Sequence, residues 1–246
     1  MKTATPEELA AILCGKLDFV LELYVLTEHT LCKKPVYKFA GAFTGDAAVP
    51  EFCLVYCEAD DPDEIFVSIN SNTPNIFEEA TLKYNPRKII YHGENGGCES
   101  YYRVGGNKNY SPAGNIRLLT RDDKITADDY FGVIFHDFME RQIYRDCGIA
   151  AVTDAGNNFA GYLAYYEIAE NIRDVSYIYV AEHNRGKGYG KALLEFFAQK
   201  NAAEEKISYY SYADGEASAA LAKSCGFLPC AKRTEERKNE LYGTNT

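Results

Sequence analysis

The residues of this chain best suited to chemistry form one short loop, Arg185 to Lys191 (RGKGYGK), in which glycines alternate with basic or aromatic residues. Glycine accepts positive φ angles and lets the backbone come close to a ligand. A strand pattern ends at Val180 and an amphipathic helix follows the loop, so the first N–H groups of that helix face the loop without internal partners. With the helix dipole and the charges of Arg185 and Lys187, these groups predict a site for a phosphate-like anion.

Two common phosphate-binding patterns do not fit this loop. A Walker A loop needs G-x-x-x-x-G-K-[ST], but Arg185 stands at the first glycine and Ala192 at the residue that should hold magnesium. A dinucleotide fingerprint needs G-x-G-x-x-G, and here the third glycine comes one residue early. A plain strand-to-helix turn with solvated basic side chains is the remaining alternative from the residues alone.

The loop spacing resembles R/Q-x-x-G-x-G/A, the acyl-CoA signature of the GNAT N-acetyltransferase superfamily, with Arg185, Gly188 and Gly190 at its defined positions. The segment IYVAEHNRGKGYGKALLEF resembles the strand, loop and helix of that family. Ala217–Phe227 (ASAALAKSCGF) resembles its later helix, which ends in a Gly-Phe turn. The resemblance extends over residues 116–235.

The resemblance implies a co-substrate and the residues that hold it. The co-substrate is acetyl-CoA, a coenzyme A thioester, and no metal is implied. Backbone groups of the strand end would pair with the pantetheine arm, and loop amides would hold the pyrophosphate. The implied cofactor-binding residues are Tyr179, Val180, Arg185, Gly186, Lys187, Gly188, Tyr189, Gly190 and Lys191.

Direct transfer to a primary amine also requires a general base. In several family members this is a carboxylate near the start of the strand that enters the loop, which places Asp174 in the role. Strand alternation predicts that Asp174 shares a face with Ile178 and Val180. Glu167, on the neighbouring strand end, is a rival, His136 is a third candidate, and a solvated hairpin role for Asp174 is the alternative.

One departure from the family concerns the general acid. Many members carry a tyrosine four residues before the glycine of the Gly-Phe turn, and that position here is Ala222. Tyr212 or water could protonate the leaving thiolate instead. A non-catalytic acyl-CoA-binding or sensor protein is therefore the alternative function. No cysteine has an adjacent histidine to activate it, which favours direct attack in a ternary complex.

Composition excludes several other classes of function. The formal net charge is -10 and both halves are acidic, which argues against nucleic-acid binding and suits a cationic amine, either a small molecule or a peptide. The eight cysteines show no zinc-type spacing. The N-terminus lacks signal-peptide order and no apolar run reaches the ~20 residues of a membrane span. We expect a cytoplasmic protein without a membrane partner, and a homodimer is allowed.

The elements that must position these residues alternate between strand and helix patterns. The glycine-rich and polar segment Gly105–Asn115 predicts a linker between an N-terminal α+β domain (1–104) and a GNAT-like domain (116–246). The predicted elements are a helix from Thr5 to about residue 28; strands 36–40, 52–56 and 65–69; a helix 73–84; strands 88–91, 101–104 and 116–120; helices 126–131 and 138–145; strands 149–153, 159–166 and 174–180; a helix 190–201; a strand 207–212; a helix 215–224; and a strand from Phe227.

The N-terminal part carries no R-x-x-G-x-G, and the equivalent stretch NSNTPN (70–75) has neither glycine nor a basic residue. Its order of elements nevertheless echoes that of the second half. The fold class is therefore α/β with an α+β mixed sheet, a GNAT-like acyltransferase domain preceded by a smaller α+β domain. The two interpretations of the smaller domain are a degenerate GNAT-like repeat and an unrelated α+β cap.

Overall fold

The structure is a computed structural model of the 246-residue chain. It describes residues 2–14, 16, 19, 22, 26, 40–44, 51–58, 61–70, 88–92, 98–106, 113–123, 129–141, 145–213 and 215–237. The predicted helix 73–84 and most of the predicted strand 36–40 lie outside these residues. The fold is a mixed α/β fold, with strands of both directions and a few helices.

The chain divides into two compact units. Unit 1 comprises Met1–Glu99 together with Ala231–Thr246, and unit 2 comprises Ser100–Cys230. The strand Leu228–Arg237 lies mostly in unit 1, and the strand Cys98–Arg103 lies mostly in unit 2. The predicted linker at residues 105–115, with domain boundaries at 104/105 and 115/116, stays a prediction.

Unit 1 opens with a short strand and a capped helix, α1 (Pro6–Leu13). The Thr5 hydroxyl accepts a hydrogen bond from the Glu8 N–H at 3.2 Å, and the Glu8 carboxylate accepts one from the Thr5 N–H at 2.9 Å. This capping box and Pro6 at the first helical position confirm the predicted helix start. The strands of the unit are β1 (Lys2–Ala4), β2 (Ala40–Thr44), β3 (Glu51–Glu58), β4 (Asp61–Asn70), β5 (Lys88–His92) and β12 (Leu228–Arg237).

The strand order in unit 1 is β1-β2-β3-β4-β5-β12. Neighbouring strands are antiparallel except β4 and β5, which are parallel. Leu9, Leu13 and Leu54 are fully or almost fully buried and form part of its core. The pairing of β3 with β4 extends to Glu58 and Asp61, beyond the predicted strands 52–56 and 65–69.

Unit 2 contains the second series of strands and the remaining described helices. Its elements are β6 (Cys98–Arg103), β7 (Asn115–Leu118), α2 (Asp129–Phe135) continued by a π-helical turn (His136–Arg141), β8 (Gly148–Thr153), β9 (Phe159–Ala169), β10 (Ile172–Val180), a 3-10 turn (Glu182–Asn184), α3 (Tyr189–Ala203), β11 (Ile207–Ala213) and α4 (Glu216–Ser224). The strand order is β6-β11-β10-β9-β8-β7. Strands β7 to β10 are antiparallel, and β10 is parallel to β11.

The sheet of unit 2 has a separate hydrophobic cluster on each face. One cluster joins α3 and α4 to Tyr101, Leu163 and Val175, and we call it the α3 side. The other joins α2 and its π-helical turn to Tyr162 and Ala164, and we call it the α2 side. Tyr101 is fully buried on the α3 side although it belongs to β6, far ahead of the other residues in sequence.

The two units share one strand order. In each, four successive strands pair in antiparallel fashion and the fourth pairs in parallel with the fifth. In each, the strand beside the fifth comes from elsewhere in the sequence, β12 in unit 1 and β6 in unit 2. A shared order is what the repeat interpretation requires, and an unrelated cap would not predict it.

Candidate functional site

The loop from Arg185 to Lys191 follows a place where two parallel strands separate. Ile172, Arg173 and Asp174 of β10 pair with Ile207, Ser208 and Tyr209 of β11. In the described residues, β10 then continues to Val180 and β11 to Ala213 without further pairing to each other. We call this opening the fork, formed by residues 175–180 and 210–213.

The fork leaves one edge of β10 open while the other edge stays paired. Tyr179 and Val180 pair with Tyr162 and Gly161 of β9 up to the end of the strand. The backbone groups of β10 that point toward β11 therefore face the fork. A row of open N–H and C=O groups can bind an extended chain of amides by strand-like pairing.

The glycine loop has the backbone that the sequence predicted for it. Gly188 is the N-cap of α3 with φ +85, and Gly186 has φ +76, a region in which side chains are strained. Helix α3 begins at Tyr189, so its first N–H groups open toward this loop. A Cβ built on Gly190 would lie 3.6 Å from Leu221 of α4 and 3.7 Å from Val180, so this position suits a small residue.

The basic side chains of the loop are exposed. The Arg185 Nε donates to the Val180 carbonyl at 3.2 Å, which holds the guanidinium at the strand end. The Lys187 Nζ donates to the Asn184 Oδ1 at 3.0 Å, and Asn184 is itself buried. Lys191 is exposed in the first turn of α3. These three cations give the loop a positive field in an acidic protein, the charge an anion site needs.

Two residues that the sequence assigned to a linker, Ala113 and Gly114, lie close to the loop. A Cβ on Gly188 would lie 3.9 Å from the Ala113 Cβ, and one on Gly114 would lie 3.0 Å from the Tyr189 ring. The same Cβ on Gly114 would meet the Thr153 carbonyl oxygen at 2.5 Å. The sequence Pro-Ala-Gly is typical of a tight turn, in agreement with the positive φ of Gly114. Nothing in the sequence indicated that Gly114 lies beside Tyr189.

Asp174 lies at the closed end of the fork and is 2% exposed. Its Oδ1 accepts a hydrogen bond from the Ser211 N–H at 2.9 Å, and its Oδ2 accepts one from the Ser211 hydroxyl at 2.5 Å. The alternative of a solvated hairpin residue is therefore wrong. Sequence reasoning did not single out Ser211, because only the register of β10 against β11 brings it to Asp174.

A β-bulge changes the face on which Asp174 lies. The register of β10 against β9 shifts between Val175 and Tyr177. Val175, Ile178 and Val180 all pack on the α3 side. Asp174 pairs directly with Tyr166, whose ring packs on the α2 side, and directly paired residues share a face. The predicted alternation, with Asp174 beside Ile178 and Val180, was wrong because the bulge inserts a residue.

Glu167, the rival base, is held by two cations. Its Oε1 contacts the Arg145 guanidinium at 3.1 Å and its Oε2 contacts the Lys206 ammonium at 2.8 Å. Lys206 also bonds Asp146, which in turn bonds Arg173 at 2.6 Å. Burial alone would raise the pKa of Asp146, but the hydrogen bonds from Lys206 and Arg173 outweigh it and lower this pKa to about 2. Glu167 thus belongs to a charge network at the start of β10.

The other candidates lie in different surroundings. His136 is exposed on the π-helical turn and bonds the Glu140 carboxylate at 2.6 Å. Tyr212 lies on β11 at the fork, and its side chain lies outside the described residues. Ala222 is fully buried on the α3 side. One turn earlier on α4, Ser218 bonds the Tyr210 hydroxyl at 2.6 Å, and burial raises the pKa of Tyr210.

Within the described ranges, no group of three or more His, Cys, Asp or Glu side chains is placed to hold a metal ion. No helix in the same ranges is long and apolar enough to cross a membrane.

Comparison with known proteins identifies the second half of the chain. The family model described as acetyltransferase (GNAT) family matches residues 115–227. A search of the curated proteins found no match.

Solved structures resemble the chain over almost its whole length. A Drosophila protein has a TM-score of 0.58 at 10% identity, covering 97% of this chain and 98% of its own. A GCN5-related N-acetyltransferase from Sphaerobacter thermophilus has a TM-score of 0.54 at 10% identity, covering 96% and 94%. One from Kribbella flavida has a TM-score of 0.53 at 11% identity, covering 88% and 94%. At such identities the likeness concerns the fold. The matched family model shows a GNAT acetyltransferase domain at residues 115–227, in the C-terminal half of the chain.

Proposed function

We propose that unit 2 transfers an acetyl group from acetyl-CoA to a primary amine by direct attack in a ternary complex. Membership of the GNAT family supports acyl transfer from acyl-CoA in general. The observation that best supports acetyl-CoA as the donor is the fork, which leads directly into a glycine loop at a helix N-terminus. An extended amide arm ending in a pyrophosphate has the two chemical features that these two parts can bind.

In this proposal the loop binds the diphosphate and the fork binds the arm. The N–H groups of Gly188 to Lys191 and the charges of Arg185 and Lys187 would contact the phosphates. The backbone at Tyr179 and Val180 would pair with the pantetheine amides, and the Val180 carbonyl would exchange its bond from the Arg185 Nε for one of them. The thioester carbon would then lie between the separated strands, toward the closed end of the fork where Asp174 lies.

The chemistry requires an unprotonated amine. We assign Asp174 the role of general base, acting through a water molecule because its side chain is buried and both oxygens accept bonds from Ser211. The amine nitrogen attacks the thioester carbonyl, the C–N bond forms, and the C–S bond breaks to release the coenzyme A thiolate. Glu167 is the weaker candidate, since cations occupy both of its oxygens.

Cys225 and Cys147 are poorly suited to form a covalent intermediate. Burial raises the pKa of Cys225 to about 11, and burial also raises the pKa of Cys147. A thiol with so high a pKa is protonated at neutral pH and is a poor nucleophile. Direct attack needs no such residue.

The net charge of the chain indicates the class of amine acceptor. A net charge of -10 favours a cationic amine, whether a small molecule or a peptide amine, over an anionic partner. We propose that the protein acts in the cytoplasm. We expect neither a nucleic-acid nor a membrane partner, and a homodimer is allowed.

A second function is favoured by one observation, the absence of a donor at Ala222. That residue is fully buried and carries no hydroxyl. A domain that binds acyl-CoA but does not turn it over would tolerate this change. In the catalytic proposal, water or the hydroxyl of Tyr212 protonates the thiolate.

The test compares Asp174→Asn with Glu167→Gln in wild-type background, using thiol release from acetyl-CoA with a panel of amines. We expect Asp174→Asn to lower turnover by about 10²- to 10⁴-fold, the usual contribution of a general base, with acetyl-CoA affinity retained. Glu167→Gln should keep turnover within a few-fold. Binding without turnover in the wild type would favour the sensor function, and a larger loss in Glu167→Gln would reverse the assignment of the base.

A further inference from the structure

We propose that Ser211 is a positioning residue that holds the Asp174 carboxylate ionised and oriented at the closed end of the fork. This inference rests on the proposed function, because it concerns the group assigned there as the base. Ser211 itself is not expected to touch acetyl-CoA or the amine.

The first argument is the geometry of the pair. One residue supplies two donors, the N–H at 2.9 Å from Oδ1 and the hydroxyl at 2.5 Å from Oδ2. Two donors from one residue fix both the position and the rotation of a carboxylate. Hydrogen bonds to the charged form also favour that form over the protonated acid.

The second argument is where the pair lies along the strands. The last residue of β11 that pairs with β10 is Tyr209, and Ser211 follows two residues later. Its N–H would otherwise face the opening, so the Asp174 side chain takes the place of the missing strand partner. The same contact therefore ends the ladder and orients the carboxylate.

The third argument concerns the described groups around Asp174. Tyr166 pairs with it on β9, and Tyr209 and Tyr210 lie on β11. The charge of Asp174 contributes to the raised pKa of Tyr210, after the larger effect of burial. The side chain of the preceding residue, Arg173, contacts Asp146, Glu204 and Asn201. The two hydrogen bonds from Ser211 favour the ionised form of Asp174.

The test measures the protonation of Asp174 directly and then its effect on rate. The carboxyl carbon of Asp174 is followed by ¹³C NMR against pH, with the resonance assigned from the Asp174→Asn spectrum. In Ser211→Ala, we expect the titration midpoint to rise by about one pH unit, a tenfold change in the ionisation equilibrium. The acid limb of kcat/KM should rise by the same amount, while the Kd of acetyl-CoA stays within about twofold. Ser211→Thr keeps a hydroxyl and should restore the wild-type midpoint.

The matched control is Ser208→Ala on the same strand. Ser208 is 1% exposed, and its hydroxyl accepts a bond from Asn201 at 2.9 Å within the charge network. This variant should lower stability without moving either midpoint. If Ser211→Ala does not fold, Ser211→Cys replaces it, because a thiol is of similar size and a weaker donor.

The outcomes separate this inference from the proposed function. A carboxyl midpoint that does not move in Ser211→Ala overturns the inference. A midpoint that moves while the acid limb of kcat/KM stays fixed also overturns it, since the contact would then be structural only. A wild type that turns over no amine refutes the proposed function, and the inference falls with it even if the NMR midpoint moves.

Discussion

The two units build the same strand order but end their central parallel ladder at different points. In unit 1, β4 pairs with β5 from Phe66 to Ile69, one residue short of the end of the strand at Asn70. In unit 2, β10 pairs with β11 only from Ile172 to Asp174, and six residues of the strand remain. Topology alone therefore does not make a binding site. The site depends on where pairing stops.

The segments that follow β4 and β10 also differ in their suitability for binding an anion. After β4 the chain continues as SNTPN (71–75), without glycine or a basic residue, whereas after β10 it reaches the glycine loop from Arg185. An open ladder and an anion loop occur together in unit 2, and both are needed to bind an extended arm with a terminal phosphate group. The comparison predicts one acyl-CoA site per chain, in unit 2.

The largest effect we expect comes from Tyr101, which tests whether β6 belongs to unit 2. Tyr101 is fully buried on the α3 side although it precedes the matched family region. Tyr101→Ala should lower the stability of unit 2 by about 3–5 kcal/mol, the range for truncating a buried aromatic residue. Hydrogen exchange measured by mass spectrometry should show faster exchange in α3 and β11.

The control for Tyr101 is a core truncation in the other unit. Leu54→Ala, at a fully buried residue of β3, should speed exchange in β3 and β4 instead. If Tyr101→Ala speeds exchange in unit 1 and leaves unit 2 unchanged, then β6 does not stabilise unit 2 and the comparison of the units is wrong.

A smaller effect is expected at Arg103, at the end of β6. Its guanidinium contacts Glu195 of α3 at 2.9 Å and also donates to the Cys225 carbonyl after α4. Both charged side chains are largely buried, so Arg103→Met leaves Glu195 uncompensated and should cost about 3 kcal/mol.

The double variant Arg103→Met with Glu195→Met separates charge from packing. It should recover much of that loss, because removing both partners of a buried pair is far less costly than removing one. Chemical denaturation of the two single variants and the double variant measures the coupling. Additive losses would show that the pair does not connect β6 to α3.

The smallest effect concerns acid stability and the charge network of unit 2. The pKa of Asp146 is lowered to about 2 against about 3.9 in an unfolded chain. A lowered folded pKa stabilises the protein above pH ~4, and that contribution disappears as the pH falls toward 2. Asp146→Asn should therefore reduce the loss of stability of unit 2 between pH ~4 and ~2.

The size of this change is limited by solvent. The Asp146 side chain is 36% exposed, so we expect less than about 1 kcal/mol. Denaturation curves at a series of pH values, monitored through exchange in β10, provide the measurement. If the unfolding free energy falls equally with pH in the wild type and in Asp146→Asn, Asp146 does not contribute to acid stability.

Local patterns predicted the glycine loop, the start of the capped helix after Thr5 and most of the described strands. The predicted end of that helix, near residue 28, was wrong, because it ends at Leu13. Those features depend on residues close together in sequence, such as Gly188 at a positive φ and Pro6 at a helix start. The fork, the bulge near Val175 and the bond from Ser211 to Asp174 were not predicted. Each depends on the register between strands, which is set by contacts distant in sequence. The place of β6 beside β11 was missed for the same reason.

The most direct test of the account is a calorimetric titration of acetyl-CoA into the wild type, Gly188→Asp and Gly105→Asp. Gly188 and Gly105 are both exposed, with φ +85 and φ +81, so the two substitutions impose similar backbone strain. We predict one saturable site in the wild type and in Gly105→Asp, and its loss in Gly188→Asp, where the carboxylate would repel the pyrophosphate. No binding to folded wild type, or full binding by Gly188→Asp, would contradict the central claim that the fork and its loop form the acyl-CoA site.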